Sequence, residues 1–435
     1  MRVVLNAVRR GRPRVALLAA LVLALATAVA GCGSMPGRSA ASAQITLTVS
    51  DFGEFGYRDL LRDYQRDHPN IRVYEESSNY NVHHANLTKE LDAGRGAGDI
   101  VAVEEGYIVQ FRDRTKDFVN LLDLGAGALA DRWLPWKWKQ SLSADGAFQI
   151  GLGTDIGGLG MCYRRDLFAR AGLPADRATV SALWPTWRDF IAVGRRFEAA
   201  DVGAQWTDSA SRTFTALMAQ QKIGYYDRAG HLAVADNPGL RLAWATGLQL
   251  VAAGESAKLK LGSTAWNAAL KTGGFATVIC PAWQIAQIKQ AAPDTSGKWD
   301  VAAVPGGGGN WGGSFLTIPR QGRHIKEAYA LAVWLTAPRQ QLTIFKGSGN
   351  LPSTPSLYGD PAVRNYRNPF VNGAPVGQIF LSAASKLSPQ YQGRYSVAVR
   401  ELFEDGLSQV EQANDTPAGA WQAAVRAAEK LAGAG

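Results

Sequence analysis

Trp206, Trp266, Trp283 and Trp311, four of the 13 tryptophans in the chain, stand beside Thr207-Asp208, Asn267, Pro281-Ala282 and Gly312-Gly313, in segments with the composition of loops. A flat indole face next to hydrogen-bonding groups is the chemistry that holds a sugar ring, whose C–H face is apolar and whose edge carries hydroxyls. Each tryptophan alone could equally fill a core, since Trp is highly buried on average. A packing role for all four together is the weaker reading.

Other chemistries find less support. Gly307-Gly308-Gly309-Asn310-Trp311-Gly312 satisfies G-x-G-x-x-G and follows a strand-like segment. A dinucleotide site needs that turn to open a helix, whereas Ser314-Phe315-Leu316-Thr317-Ile318 reads as a strand. G-x-x-x-x-G-K-[ST], H-E-x-x-H and G-x-S-x-G do not occur. His83 and His84 are adjacent, so a strand points them to opposite faces and a helix places them poorly for one shared ion; no metal site is expected. Glu104-Glu105 is the tempting carboxylate pair for glycoside hydrolysis, but neighbouring side chains diverge. No catalytic residues and no cofactor are expected.

The elements that must position these residues read as α/β. Ile45–Val49 alternates β-formers, Tyr57–Arg66 carries Leu60, Leu61 and Tyr64 at helical spacing, and Ile71–Tyr74 alternates again. Leu87–Leu91 continues as helix and Asp99–Val103 as strand, the repeat that builds a mainly parallel sheet. Helical stretches dominate later, at 187–200, 211–221, 239–253, 325–335 and 395–411. Three segments read as crossings between lobes: Gln149–Tyr163, Trp299–Val304 and Ser314–Ile318. A chain of 435 residues exceeds one ordinary core, so two lobes are expected.

The N-terminus carries five arginines and no acid before an apolar run from Val15 to Ala30, the pattern of an export signal. Val29-Ala30-Gly31-Cys32 resembles the lipobox of bacterial lipoproteins, with valine where leucine is usual, which implies lipidation of Cys32. Removing residues 1–31 takes those five arginines and lowers the formal charge from +9 to +4. Without a basic run in the body, that balance argues against nucleic acid. Ala, Gly, Ser and Pro from Gly33 to Ala43 suit a flexible tether. Cys162 and Cys280 are too few for a disulfide-built scaffold; they read as two separate buried cysteines, with pairing the alternative in an oxidising compartment.

The order of segments then resembles the extracellular solute-binding lipoproteins of ABC sugar importers, family 1, which includes maltose- and cellobiose-binding proteins. The most specific match runs from Gly151 through Asp155, Tyr163-Arg164-Arg165-Asp166-Leu167-Phe168 and Gly172-Leu173-Pro174. Around it, in family order, fall Asp99–Glu104, Trp184–Phe190, Gly274–Trp283, Trp299–Pro305, Gly312-Gly313-Ser314 and Gly349–Ser353.

The resemblance implies a two-lobe, periplasmic-binding-protein-like α/β fold of type II, with mixed sheets flanked by helices and a ligand cleft between the lobes. It assigns 1–31 to the lipoprotein signal peptide, 32–44 to the tether, 45–154 and 306–336 to lobe 1, and 155–305 and 337–435 to lobe 2. It implies that Trp283 stacks on the ligand, that Trp311 and Ser314 face the cleft, and that Asp155 and Glu104 accept hydroxyl hydrogen bonds. Glu104 stands where aspartate is expected. Tyr80, Glu105, Trp206 and Trp266 join by chemistry and approximate position. The implied protein is a monomer, lipid-anchored by Cys32 on the extracytoplasmic face, that captures a carbohydrate and delivers it to permease subunits. The rival readings are a secreted glycan-degrading enzyme, an adhesive wall-binding lipoprotein and a receptor for a non-sugar solute.

Overall fold

The computed structural model describes residues 44–433; the export signal, Cys32 and the tether to residue 43 lie outside the described residues. The strands are, in order, β1 (Ile45–Phe52), β2 (Ile71–Ser78), β3 (Ile100–Glu104), β4 (Gly151–Gly153), β5 (Asp155–Ile156), β6 (Leu159–Arg164), β7 (Gln205–Thr207), β8 (Phe275–Pro281), β9 (Trp299–Ala302), β10 (Ser314–Thr317) and β11 (Leu351–Pro352).

The first lobe is built on the sheet β2-β1-β3-β10-β4. β1 runs parallel to both β2 and β3, so each link needs a crossover helix, supplied by Arg58–Asp67 and Tyr80–Asp92. The first buries Leu60, Leu61 and Tyr64 along one stripe. β10 enters antiparallel between β3 and β4. Its alternation sends Leu316 to the face shared with Leu47 and Leu331, and Phe315 to the face shared with Val103 and Phe111.

The second lobe is built on β7-β8-β6-β9. Met161 and Tyr163 of β6 face a core with Phe190, Trp206, Phe403 and Leu407, while Cys162 faces Val278, Trp299 and Val301. The helix Ser396–Glu411 thus returns to this lobe's core, far along the chain from β6. β5 and β11 form a short antiparallel pair of their own.

Two sequence expectations need correction. Gln149–Tyr163 is three strands rather than one, interrupted at Thr154 and Gly157-Gly158; a Cβ on Gly157 would meet the Trp311 carbonyl oxygen at 1.7 Å, so only glycine lets the two backbones touch there. Cys162 and Cys280 are bonded to each other, with Cα atoms 5.4 Å apart. β6 and β8 are antiparallel neighbours, and their pleat turns both thiols to one face.

Candidate ligand-binding cleft

The parallel strands β1, β2 and β3 all end at one place, where Phe52, Ser78 and Glu104 border a cavity of about 750 Å³. Crevices beyond strand carboxyl ends are where open α/β sheets bind ligands. The second lobe closes the other side with Arg212, Trp266, Trp283 and the exposed face of the helix carrying Arg400 and Glu404.

Glu104 ends β3 and caps the following helix, Glu105–Phe111, by accepting the Gly106 N–H at 2.8 Å. The same oxygen accepts the Tyr80 hydroxyl at 3.0 Å. Its other oxygen, Oε1, has no partner among the described residues, and the side chain lines the cavity. Beneath it, His84 donates from Nδ1 to the Tyr80 carbonyl at 2.8 Å and accepts the Glu104 N–H at Nε2. Burial pushes this imidazole down to about 3, so it is neutral. Burial also raises the Glu104 carboxyl, an effect opposed by the Arg400 guanidinium, the Gly106 N–H and the Tyr80 hydroxyl.

Asp155 accepts Thr154 Oγ1 at 2.6 Å and the Ser314 N–H at 2.9 Å, both on Oδ1. Its second oxygen has no partner among the described residues, and it too borders the cavity. The loop before Ser314 bends through Gly312 and Gly313 at φ +85° and +111°. A Cβ on Gly313 would lie 2.4 Å from the Asp155 carbonyl oxygen, so the crossing fits only without a side chain.

Trp283 and Trp311 are half-buried and meet edge to face, with ring centroids 6.3 Å apart. The Trp283 indole donates to the Trp311 carbonyl at 2.8 Å. Their rings and the free carboxylate oxygens of Glu104 and Asp155 give the cavity both apolar surface and hydrogen-bond acceptors, the two features that hold a sugar ring.

Of the nine residues singled out from sequence, seven border this cavity: Trp283, Trp311, Asp155, Glu104, Tyr80, Trp266 and Ser314. Glu105 and Trp206 do not. Glu105 points under the glycine loop, accepting Asn310 Nδ2 at 2.8 Å and the Gly312 N–H at 3.2 Å. It lies 4.0 Å from the fully buried Lys137 ammonium, and burial pushes its carboxyl up to about 8. Trp206 is a correction: it is 0% exposed and packs against Phe168, Trp184, Phe190 and Phe197. β7 runs from Gln205 to Thr207 through the segment taken for a loop and turns the indole inward. Trp266 is only 1% exposed and backs the wall more than it fronts it.

Sequence reasoning missed Arg212, Arg400 and Glu404. Arg400 and Glu404 are spaced i, i+4 and 3.5 Å apart, the signature of an ordinary helix-surface pair. Nothing in that spacing marks a cleft.

Residues 59–369 match the family described as bacterial extracellular solute-binding protein. This chain belongs to that family. It is a family of binding proteins, not of enzymes. A solved extracellular solute-binding protein of family 1 is 42% identical to this solute-binding protein, covers 89% of it and 99% of its own chain, and superposes with a TM-score of 0.77. The arabinooligosaccharide-binding protein of Bacillus subtilis (strain 168) is 24% identical over 405 residues, 85% of this chain and 88% of that protein. The ABC transporter associated binding protein of B. animalis subsp. lactis Bl-04, solved with beta-1,6-galactobiose, is 18% identical, covers 88% of this chain and 96% of its own, and has a TM-score of 0.75; it shows the shared two-lobe fold.

Proposed function

We propose that this solute-binding protein captures an oligosaccharide between its lobes and delivers it to the membrane subunits of an ABC importer. The observation that carries the reading is one cavity walled by Trp283 and Trp311 and faced by the unpaired carboxylate oxygens of Glu104 and Asp155. The arabinooligosaccharide- and galactobiose-binding relatives support a sugar. Ligand contacts to both lobes favour the closed arrangement, since only differential contacts shift a hinge equilibrium. We assign 45–154 and 306–336 to lobe 1 and 155–305 and 337–435 to lobe 2, and we place the protein as a monomer tethered by a lipid on Cys32.

A thermal-shift screen of the purified protein against arabino-, galacto- and gluco-oligosaccharides, amino acids and polyamines tests this. A ligand at 100 times its dissociation constant adds about 2.7 kcal/mol of stability. A shift with one sugar class and no released product supports the reading; a shift only with a non-sugar solute overturns it.

A further inference from the structure

Asp208 is wholly buried just after β7, and one of its oxygens holds two groups at once. Oδ2 accepts the Trp266 indole N–H at 2.9 Å and lies 3.2 Å from Arg212 Nε. Arg212, 4% exposed, spends Nη2 on the Ile279 carbonyl at 2.6 Å and on Gln284 Oε1 at 2.9 Å. Its Nε and Nη1 make no hydrogen bond among the described residues, so Nε meets Asp208 as an ion-pair contact only. The guanidinium carbon sits over the Trp311 ring, 4.7 Å from the centroid, and the Trp311 carbonyl receives the Trp283 indole N–H. One unbroken chain of contacts therefore joins the three cavity tryptophans: Trp266, Asp208, Arg212, Trp311, Trp283.

We propose that Asp208 and Arg212 are positioning residues that hold the aromatic wall of the cleft in its binding geometry. Arg212 is not a free cation waiting for an anionic sugar, because the Asp208 carboxylate pairs its charge, Nη2 is held by two protein oxygens and its planar face is given to Trp311. A planar guanidinium stacks where an ammonium cannot. Asp208 holds that guanidinium by charge and, through the same oxygen, hydrogen-bonds the Trp266 ring beside it, while the Ile279 carbonyl and Gln284 orient the guanidinium through Nη2. This inference rests on the cleft being the ligand site, and its test separates the two.

The full chain is labelled with fluorotryptophan and the Trp311, Trp283 and Trp266 fluorine resonances are assigned with single Trp→Phe variants. In ligand-free Arg212→Lys, which keeps the charge and loses the plane, the Trp311 resonance shifts and broadens while the melting transition stays cooperative. Affinity for the sugar identified by the thermal screen falls roughly 3- to 30-fold, the worth of a cation–aromatic contact. Asp208→Asn alone leaves Arg212 uncompensated in the interior, a change that can prevent folding. Asp208→Asn with Arg212→Gln therefore serves as the second variant; it removes both charges and moves the Trp311 resonance as Arg212→Lys does.

Wild-type Trp311 resonances in both variants overturn the proposal, as does an altered resonance with unchanged sugar affinity. If the wild-type protein binds no sugar, the sugar reading falls, and the Trp311 resonance in the same variants still decides whether Arg212 positions the ring.

Discussion

The Trp283 indole N–H reaches the main-chain carbonyl of Trp311 at 2.8 Å, so a side chain leaving β8 is pinned to the loop that leads into β10 of the other lobe's sheet. Trp283→Ala removes a stacking face and this interlobe tie. Binding of the cognate sugar weakens by about 1–3 kcal/mol, the burial worth of such a side chain, with the ligand-free fold kept. Titration calorimetry measures it; unchanged affinity returns Trp283 to a packing role.

Gly106 supplies a second contact between lobes. A Cβ there would come within 2.5 Å of Val397 Cγ2 on the helix Ser396–Glu411. Gly106→Leu wedges the lobes apart and penalises the closed state by about 1–3 kcal/mol, the usual cost of overpacking. Affinity drops, and small-angle scattering reports a larger radius of gyration with sugar present, the readout that separates wedging from crowding of Glu104, whose Oε2 would lie 3.0 Å from the new Cβ. Val397→Ala in the same chain restores both; a failure to restore them removes the steric explanation.

Trp206 marks what was and was not legible in the sequence. The βαβ start was readable because alternation and helical spacing are local signals; the two lobes were expected from chain length, and the seven residues that border the cavity came from loop-like tryptophans and the family resemblance of the segment order. Trp206 beside Thr207-Asp208 carried the same local signature as Trp283, yet β7 turns it into the core; which way a ring faces depends on strand pairing elsewhere. The Cys162–Cys280 bond escaped for the same reason, since only the β6–β8 register brings two residues 118 apart together. Arg212 was hidden because its partners are scattered from Asp208 to Trp311.

As a core residue, Trp206 carries stability. Trp206→Ala costs about 3–5 kcal/mol of unfolding free energy, read by denaturant titration. A loss of sugar affinity with stability intact would instead place it in the cleft.

Reduction gives a further measure. The Cys162–Cys280 bond closes a loop of 118 residues, and a cross-link of that span restricts the unfolded chain by roughly 4–5 kcal/mol. Cys162→Ala with Cys280→Ala unfolds at lower denaturant than the oxidised protein, and dithiothreitol brings the wild type close to the variant. Equal midpoints with and without reductant count against the bond.

Glu255 sets a pH dependence. It is 0% exposed, its oxygens have no partner among the described residues, and burial, opposed by the Arg195 charge and reinforced by Glu198, pushes it from 4.5 up to about 8. The folded protein therefore holds this proton where the unfolded chain has released it, and stability falls as pH rises through that window. Asp51 and Glu105, both also raised to about 8, act in the same direction. Glu255→Gln makes the decline shallower, gaining most over the wild type near pH 8; parallel melting curves at pH 5 and pH 8 would exclude the buried carboxyl as a cause.

β10 lies between β3 and β4, yet it is made only after β5 through β9. Any growing chain shorter than about residue 317 therefore has β3 with one hydrogen-bonding edge open, a template for pairing with another chain. The second sheet is complete in strands before the first, and β10 joins partners more than 150 residues behind it. Assembly of this receptor is thus governed by a late, long-range closure, intrinsically slow, during which keeping chains apart matters as much as the stability of the finished fold.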